Sequence, residues 1–256
     1  MQEQVIVYDR FSCDKCSDKL KLGFDFTMAF QPIINCKTQQ IYGYEALVRG
    51  LNNESAYSVI SKVNDDNRYM FDQLCRVKAI ALASQLKLKS MLSINFLPNA
   101  IYKPERCIRT TLDAAIKYDF PIEKIMFEFT EVEKIEDTTF VKSVIDYYNK
   151  LGFTTAIDDF GSGYAGLGLL ADFQTNIVKI DMELIRNIDK DSARQSIVKN
   201  CINLFHDLNI ISLAEGIETK EEMIWLRDAG IELMQGYFFA KPGFEHLPEV
   251  NFSEMP

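Results

Sequence analysis

Residues 154–168 read TTAIDDFGSGYAGLG, an apolar run that predicts a strand ending in Asp158 and Asp159, followed by a glycine-rich loop. Two adjacent acids at the tip of a buried strand are costly unless a positive charge lies between them. A pair of divalent cations meets this need, because hard cations prefer carboxylate oxygen and one aspartate can bridge two of them. The alternative is a solvated Asp-Asp turn that caps a helix.

Strand-like and helix-like segments alternate on both sides of this stretch. The predicted strands are residues 28–34, 42–49, 91–96, 124–130, 154–159, 177–181, 210–215 and 233–239. The predicted helices are residues 65–86, 104–118, 137–151, 183–208 and 220–229, the last with Thr219 as its N-cap and Glu222 three residues later. Eight strands alternating with helices over 256 residues predict an α/β fold, a (β/α)8 TIM-like barrel.

The connection between the first two strands is too short for a parallel arrangement. Only residues 35–41 join them, whereas a parallel crossover needs about a dozen residues or more. The barrel is therefore expected to carry one antiparallel strand. Residues 24–256 are assigned to this barrel domain, and residues 1–23 to an N-terminal extension packed on it.

The bulk properties exclude several classes of protein. A formal net charge of −9 argues against a non-specific binder of nucleic acid polymers and against a membrane-surface protein. No apolar run approaches the roughly 18–20 residues of a membrane span. The start of the chain, MQEQVIVYDR, lacks the basic-then-apolar order of a signal peptide. A cytoplasmic location is expected.

Six scattered cysteines favour reduced, mostly buried thiols over a disulfide framework. Cys13 and Cys16 form the one CxxC pair. The pair supplies only two of the four ligands that a structural zinc usually takes, and no second pair matches it. Zinc binding, a redox role and an incidental pair all remain open.

Polar residues at the C-terminal ends of barrel strands usually form the active site. Seven of the eight predicted strands carry an oxygen ligand or a cation there: Glu45 and Arg49, Asn95, Glu128, Asp158 and Asp159, Lys179, Glu215, and Gln235. Each has an ordinary explanation alone, such as an ion pair between Glu128 and Lys179. An oxygen-rich set without His or Cys suits Mg²⁺ or Mn²⁺ better than zinc or copper.

Two such cations serve in-line displacement at phosphorus, in which they activate water and neutralise the phosphoryl oxygens. Lys179 could orient or help to activate that water, or stabilise the leaving oxygen. Arg49, four residues after Glu45, is suited to contact a phosphate. The residues by themselves therefore predict a metal-dependent phosphoester hydrolase.

Eight short motifs occur in order along the chain: FQPI at 30–33, EAL at 45–47, SINF at 93–96, FEFTE at 127–131, DDFGSG at 158–163, VKID at 178–181, AEGIE at 214–218 and QGY at 235–237. In these motifs the chain resembles the EAL domain, the cyclic di-GMP phosphodiesterase module, over roughly residues 24–244. The resemblance implies hydrolysis of cyclic di-GMP to linear pGpG on a barrel with one antiparallel strand. The loop GSGYAGL departs mildly from the commoner GTGYSSL and keeps both glycines.

The resemblance also implies roles for single residues. Two Mg²⁺ or Mn²⁺ ions per active site would be bound, one by Glu45, Asn95, Glu128 and Asp158, and the second by Asp158, Asp159 and Glu215. The implied catalytic residues are Glu45, Lys179, Glu215 and Gln235. The implied substrate contacts are Gln31, Leu47, Arg49, Asp181 and Gln235. Glu131, Gly161 and Gly163 would stabilise the loop 160–167.

The resemblance further implies a homodimer, and it leaves open a regulatory protein partner. An alternative function of another class is a catalytically silent EAL module that acts as a cyclic di-GMP receptor or binds a protein. A third is an unrelated barrel hydrolase that acts on a different phosphoester. Silent modules usually lack metal ligands, whereas here every ligand position carries the expected residue.

Overall fold

The computed structural model describes residues 22–97, 104–129, 138–162 and 167–255. The strands are β1 Thr27–Asn35, β2 Gln40–Arg49, β3 Met91–Phe96, β4 Ile125–Phe129, β5 Thr154–Phe160, β6 Ile177–Ile180, β7 Ile211–Ala214, β8 Leu233–Gln235 and β9 Gly243–Phe244. The α-helices are α1 Ala56–Ile60, α2 Arg68–Gln85, α3 Pro104–Cys107, α4 Arg109–Lys117, α5 Thr138–Leu151, α6 Leu167–Asp172, α7 Met182–Ile185, α8 Ser192–Asp207 and α9 Lys220–Asp228.

The strands close into the predicted barrel. Strands β2 to β8 follow one another in parallel, and β1 lies between β8 and β2, antiparallel to both. The prediction of one reversed strand is confirmed, and its cause is the short turn between β1 and β2. Strand β9 pairs with β1 outside the ring and is an addition that the sequence analysis did not predict.

Two predicted helices are wrong in their continuity. The segment 183–208 contains α7 and α8, because Asn187 has a φ of 55°, which a right-handed helix cannot contain. Asp191 then begins the new helix by accepting the backbone N–H groups of Ala193 and Arg194. The segment 104–118 is divided into α3 and α4 at Ile108. Ile108 itself keeps right-handed helical dihedral angles, so the direction of the chain changes little between the two helices.

The remaining boundaries differ mostly by one or two residues. The largest strand error is at the end of β8, predicted to reach residue 239, because the chain folds back after Gln235. There Phe238 N donates to Ile217 O at 3.0 Å and Phe239 N donates to Gly236 O at 3.1 Å. Helices α1 and α6 were not predicted, since both are short. The predicted N-cap of α9 is confirmed as a capping box between Thr219 and Glu222.

The core has two layers. The larger lies between the barrel wall and the helices. The smaller fills the barrel interior with one apolar residue from each of six strands: Ile33, Met126, Ala156, Ile177, Leu213 and Leu233. Since side chains alternate along a strand, the next inward-facing position of each strand lies above this apolar floor, toward the C-terminal end of the parallel strands. The described residues contain no helix that is long and apolar enough to cross a membrane.

A buried ion pair joins α2 to its neighbours. The Arg76 Nη2 atom lies 2.6 Å from Asp72 Oδ2, and both side chains are almost fully buried. Arg76 Nη1 donates to the Cys107 carbonyl at 3.1 Å and to Thr111 Oγ1 at 3.2 Å, which ties α2 to α3 and α4. The other Asp72 oxygen accepts the Leu97 backbone N–H at 3.3 Å, directly after β3.

Substitution Arg76→Met should lower the free energy of unfolding by about 3–5 kcal/mol, because it leaves the Asp72 carboxylate buried without its partner. Equilibrium unfolding in urea, followed by circular dichroism, measures this loss. The double variant Asp72→Asn/Arg76→Met keeps an acceptor for Leu97 and removes the unpaired charge, so it should lose less. Equal losses in the two variants would contradict the role assigned to the ion pair.

Candidate active site

The polar strand-end residues meet inside the barrel above its apolar floor. Strand alternation turns them inward, and the closed ring of strands brings together their side chains at one level. The inward-facing polar set is Gln31, Glu45, Asn95, Glu128, Asp158 and Lys179, with Gln235 at the end of β8 and Glu215 directly after β7. The geometry therefore brings together the predicted strand-end acids and amides with Lys179, and Gln31, which was expected only as a substrate contact, lies beside them.

The Lys179 ammonium group lies among four of these carboxylates. Its Nζ atom is 2.5 Å from Glu215 Oε1 and 2.8 Å from Glu128 Oε2. It is also 2.9 Å from Asp158 Oδ1 and 3.7 Å from Glu45 Oε2. Lys179 is 1% exposed, so its charge is withdrawn from water and depends on these carboxylates for compensation.

The Glu45 carboxylate is held by two amide side chains. Asn95 Nδ2 donates to Glu45 Oε1 at 2.8 Å, and Gln235 Nε2 donates to Glu45 Oε2 at 2.7 Å. Burial alone would raise the pKa of Glu45, but the charge of Lys179 and these hydrogen bonds outweigh it and lower the pKa. Burial likewise opposes the charge of Lys179, whose pKa is nevertheless well above its ordinary value because of the surrounding carboxylates.

The other carboxyl groups are less well compensated. Burial, followed by repulsion from neighbouring carboxylates, raises the pKa values of Glu128 and Glu215 well above their usual range. Burial and the charges of Asp158 and Asp181 raise the pKa of Asp159 to about 6. One ammonium group is therefore too little positive charge for this set of acids.

A local distortion of β5 brings its two aspartates together. On a regular strand, adjacent side chains point to opposite faces. Here the pairing with β6 shifts between Ile157 and Phe160, so β5 contains one extra residue. Asp159 has a φ of 54°, in the left-handed region. One carboxylate oxygen from each of Asp158, Asp159 and Glu215 consequently lies within 4.8 Å of the others.

Several buried oxygens in this cluster have spare capacity to accept. Among the described residues, both Glu128 oxygens, Asp158 Oδ1 and Gln235 Oε1 are buried and receive no hydrogen bond of regular geometry. The described wall of the cavity around them contains neither His nor Cys. Converging carboxylate oxygens in a set with excess negative charge fit a hard divalent cation such as Mg²⁺ or Mn²⁺.

Comparison with known proteins identifies the family. A family model described as the EAL domain matches residues 15–242. The chain belongs to the EAL family. It is 34% identical over 227 residues to the blue light- and temperature-regulated antirepressor BluF of Escherichia coli K12, covering 88% of this chain and 56% of BluF. It is 28% identical over 226 residues to the probable cyclic di-GMP phosphodiesterase PdeG of the same organism, covering 83% of this chain and 44% of PdeG. The chain thus spans about half the length of these curated relatives.

Solved EAL structures have the same fold. A standalone versatile EAL protein from Vibrio cholerae O395, in its c-di-GMP-bound form, is 73% identical with a TM-score of 0.89, over 91% of this chain and 99% of that chain. Klebsiella pneumoniae BlrP1, in a manganese/cy-diGMP complex at pH 9.0, is 34% identical with a TM-score of 0.83. That match covers 89% of this chain and 58% of the BlrP1 chain.

The cavity of this EAL domain has a volume of about 310 Å³. Eight of its lining residues were predicted to be site residues: Gln31, Glu45, Asp158, Asp159, Lys179, Asp181, Glu215 and Gln235. The other five had no predicted role: Met182, Gly216, Glu218, Gly236 and Tyr237. Four of these five lie within the AEGIE and QGY motifs, and Met182 directly follows VKID. Membership of these motifs was the feature of the sequence that could have identified them as cavity residues.

Two predicted substrate contacts lie away from this wall. Leu47 and Arg49 are on the same face of β2 as Glu45, nearer the mouth of the barrel, and neither lines the cavity. The Arg49 guanidinium donates to the Val48 carbonyl at 2.7 Å.

Gly161 follows β5 with a φ of 102° and packs closely on Leu184. Cys13, Cys16, Glu131 and Gly163 lie outside the described residues, so their predicted roles stay predictions.

Substitution Lys179→Met should lower the free energy of unfolding of the metal-free EAL domain by about 3–5 kcal/mol, because buried carboxylates lose their compensating charge. Chemical unfolding in the presence of EDTA measures the effect. The double variant Lys179→Met/Glu128→Gln removes one repelling carboxylate and should recover part of the loss. Strictly additive losses from the two substitutions would contradict the coupling of these charges.

Proposed function

We propose that the chain is a metal-dependent phosphodiesterase that hydrolyses one phosphodiester bond of cyclic di-GMP to give linear pGpG. The observation that carries this proposal is a cluster of five carboxyl groups at the cavity, four of them around Lys179 and the fifth, Asp159, beside Asp158 and Glu215. Relatives named as cyclic di-GMP phosphodiesterases support the reaction, and neighbours solved with cyclic di-GMP support the substrate.

Two Mg²⁺ or Mn²⁺ ions would be held by the acids at the strand ends. Glu45, Asn95, Glu128 and Asp158 are the proposed ligands of one ion. Asp158 is shared with the second ion, which Asp159 and Glu215 complete. When bound, such a pair supplies activation of water and neutralisation of the phosphoryl oxygens. Two divalent cations would also balance the charge that five carboxylates carry in excess of one ammonium group.

The remaining polar groups would orient the substrate and the attacking water. Lys179 is a buried hydrogen-bond donor, suited to orient that water or to stabilise the leaving oxygen. Gln235 bridges Glu45 and Gln31 through its Nε2 atom, at 2.7 Å and 3.2 Å. Its Oε1 atom has no partner in the described part of the chain and can accept a hydrogen bond from that water.

The size of the cavity bears on how the substrate binds. A volume of about 310 Å³ is at the lower end of the usual range for ligand pockets, which is about 300–1,000 Å³. Cyclic di-GMP is therefore expected to insert one phosphodiester and to extend over the rim. Gln31 and Asp181 line the cavity itself, while Leu47 and Arg49 follow on β2 toward that rim.

A second function is a catalytically silent module that acts as a receptor for cyclic di-GMP or binds a protein. The relative BluF favours it, since that protein is named as an antirepressor and not as a phosphodiesterase. The complete set of proposed metal ligands favours the enzyme. A regulatory partner, a zinc ion at Cys13 and Cys16, and a cytoplasmic location stay predictions.

Incubation of the protein with cyclic di-GMP and Mg²⁺ or Mn²⁺ should yield pGpG, separated and measured by chromatography. Glu45→Gln should reduce turnover by at least about 100-fold, because an amide replaces a carboxylate ligand. Glu123→Gln, at an exposed position before β4, serves as the control and should be fully active. Intact dinucleotide after incubation with the wild type would refute the enzyme, and a binding titration would then test the receptor.

We also propose that the chain forms a homodimer through the surface around α6, α7 and α8. Leu167, Met182 and Ile197 are 62%, 43% and 48% exposed there. Ile197 and Met182 line a groove of about 800 Å³ that reaches Gly161 and Ser162 after β5. A second copy covering these apolar side chains would lie close to the acidic cluster.

Substitution Ile197→Glu should convert the dimer to a monomer, because it inserts a charge into the proposed apolar contact. The molar mass, measured by light scattering after size-exclusion chromatography, reports this directly. Ile116→Glu on α4, where Ile116 is 80% exposed, is the matched control and should remain dimeric. A monomeric wild type would refute the proposed dimer.

A further inference from the structure

The loop after β7 carries Glu215 into the acidic cluster, and its start is fixed by neighbouring strands. Glu215 N donates to Ile180 O at 3.1 Å, and Ile217 N donates to Gln235 O at 3.1 Å. Between them Gly216 has a φ of 66°, and a Cβ atom added to it would lie 2.3 Å from Met182 Cβ. This loop therefore runs in close contact with the start of α7.

The far end of the loop is held by one buried carboxylate. Glu222, in the first turn of α9, is 1% exposed. Its Oε2 atom accepts the backbone N–H groups of Glu218 at 3.0 Å and Thr219 at 3.1 Å. Its Oε1 atom accepts the backbone N–H of Asn187 at 2.8 Å. A single side chain thus connects the β7 loop to the segment that follows α7.

The Glu222 carboxyl is suited to hold these three donors in its charged form. Burial alone would raise its pKa, but the hydrogen bonds from Glu218, Asn187 and Thr219 hold the pKa below its ordinary value. Arg186 and Glu218 form a second link between the same two segments at 2.8 Å, but both are partly exposed, and such pairs contribute little. Glu222 is therefore the stronger of the two links.

We propose that Glu222 is a positioning residue for the metal site, which fixes the loop carrying Glu215 so that its carboxylate converges with those of Asp158 and Asp159. The inference rests on the proposed function, because it takes Glu215 as a metal ligand. Glu222 is not one of the residues that line the cavity, so it acts only through the backbone that it holds.

Substitution Glu222→Gln separates the charge and hydrogen-bonding capacity of Glu222 from its size. Glutamine has one acceptor oxygen, so its NH₂ group must face either Asn187 N–H or the N–H groups of Glu218 and Thr219. One of the two segments is then released. Substitution of groups that support metal ligands typically weakens metal binding at least about 10-fold, and that loss is expected here.

The test is Mn²⁺ binding to protein made metal-free with EDTA and then dialysed, with free Mn²⁺ measured by electron paramagnetic resonance. Glu222→Gln should bind Mn²⁺ about 10-fold more weakly than the wild type. Glu222→Asp, which keeps the charge but is too short to reach all three donors, should show a smaller loss in the same direction. Glu221→Gln, its exposed neighbour in the same helical turn, should bind like the wild type.

Leu226→Ala controls for general destabilisation of α9, because it removes a fully buried side chain of the same helix and leaves the Glu222 carboxylate in place. It should lower the melting temperature without changing Mn²⁺ affinity. Unchanged Mn²⁺ affinity in both Glu222 variants would overturn the inference alone. An equal loss in Leu226→Ala would also overturn it, since α9 stability would then be the cause. A wild type that binds no Mn²⁺ would overturn the metal site itself, and this inference with it.

Discussion

The arrangement of this protein depends on the contact between one buried ammonium group and the carboxylates around it. Lys179 and its four partners are on five different strands or their ends, so the ion pairs form only when the ring of strands has closed. Each charge would be prohibitive without the others in so dry a place. The cluster therefore requires accurate closure of the barrel, and it retains an excess of negative charge that further cations can satisfy.

The apolar floor of the barrel interior lies directly below the cluster and is built by the same strands. The strands that supply acids to the upper level supply Met126, Ala156 and Leu213 to the level below. This floor keeps water away from the side of the cluster that faces the barrel interior. Charges in the cluster therefore interact more strongly than charges at an open surface. Access is left at the mouth, where the cavity opens and where Met182 and Tyr237 lie.

The sequence predicted the barrel and most of the acidic cluster, because both follow from local patterns. Polar residues at the ends of the predicted strands indicated the cluster, and a seven-residue connection indicated the reversed strand. The division of the helix 183–208 was missed because it depends on the dihedral angles of Asn187. The links from Arg76 to Cys107 and Thr111 were missed because these partners are distant in sequence. The capping role of Glu222 was predicted, but its bond to Asn187 was not, because that partner is a backbone group 35 residues away.

The extra residue in β5 also determines how differences among related chains should be interpreted. A left-handed backbone at Asp159 admits aspartate, asparagine or glycine readily and excludes β-branched residues, whatever their chemistry. Asp158 lies in the same irregular stretch, but its φ is not in the left-handed region, so this restriction does not apply to it. An asparagine at 159 in another chain would therefore be compatible with the bulge, while it would replace a carboxylate that is proposed to bind a metal ion. A change at 158 is not required by a left-handed backbone, so it would bear more directly on the chemistry of this buried carboxylate.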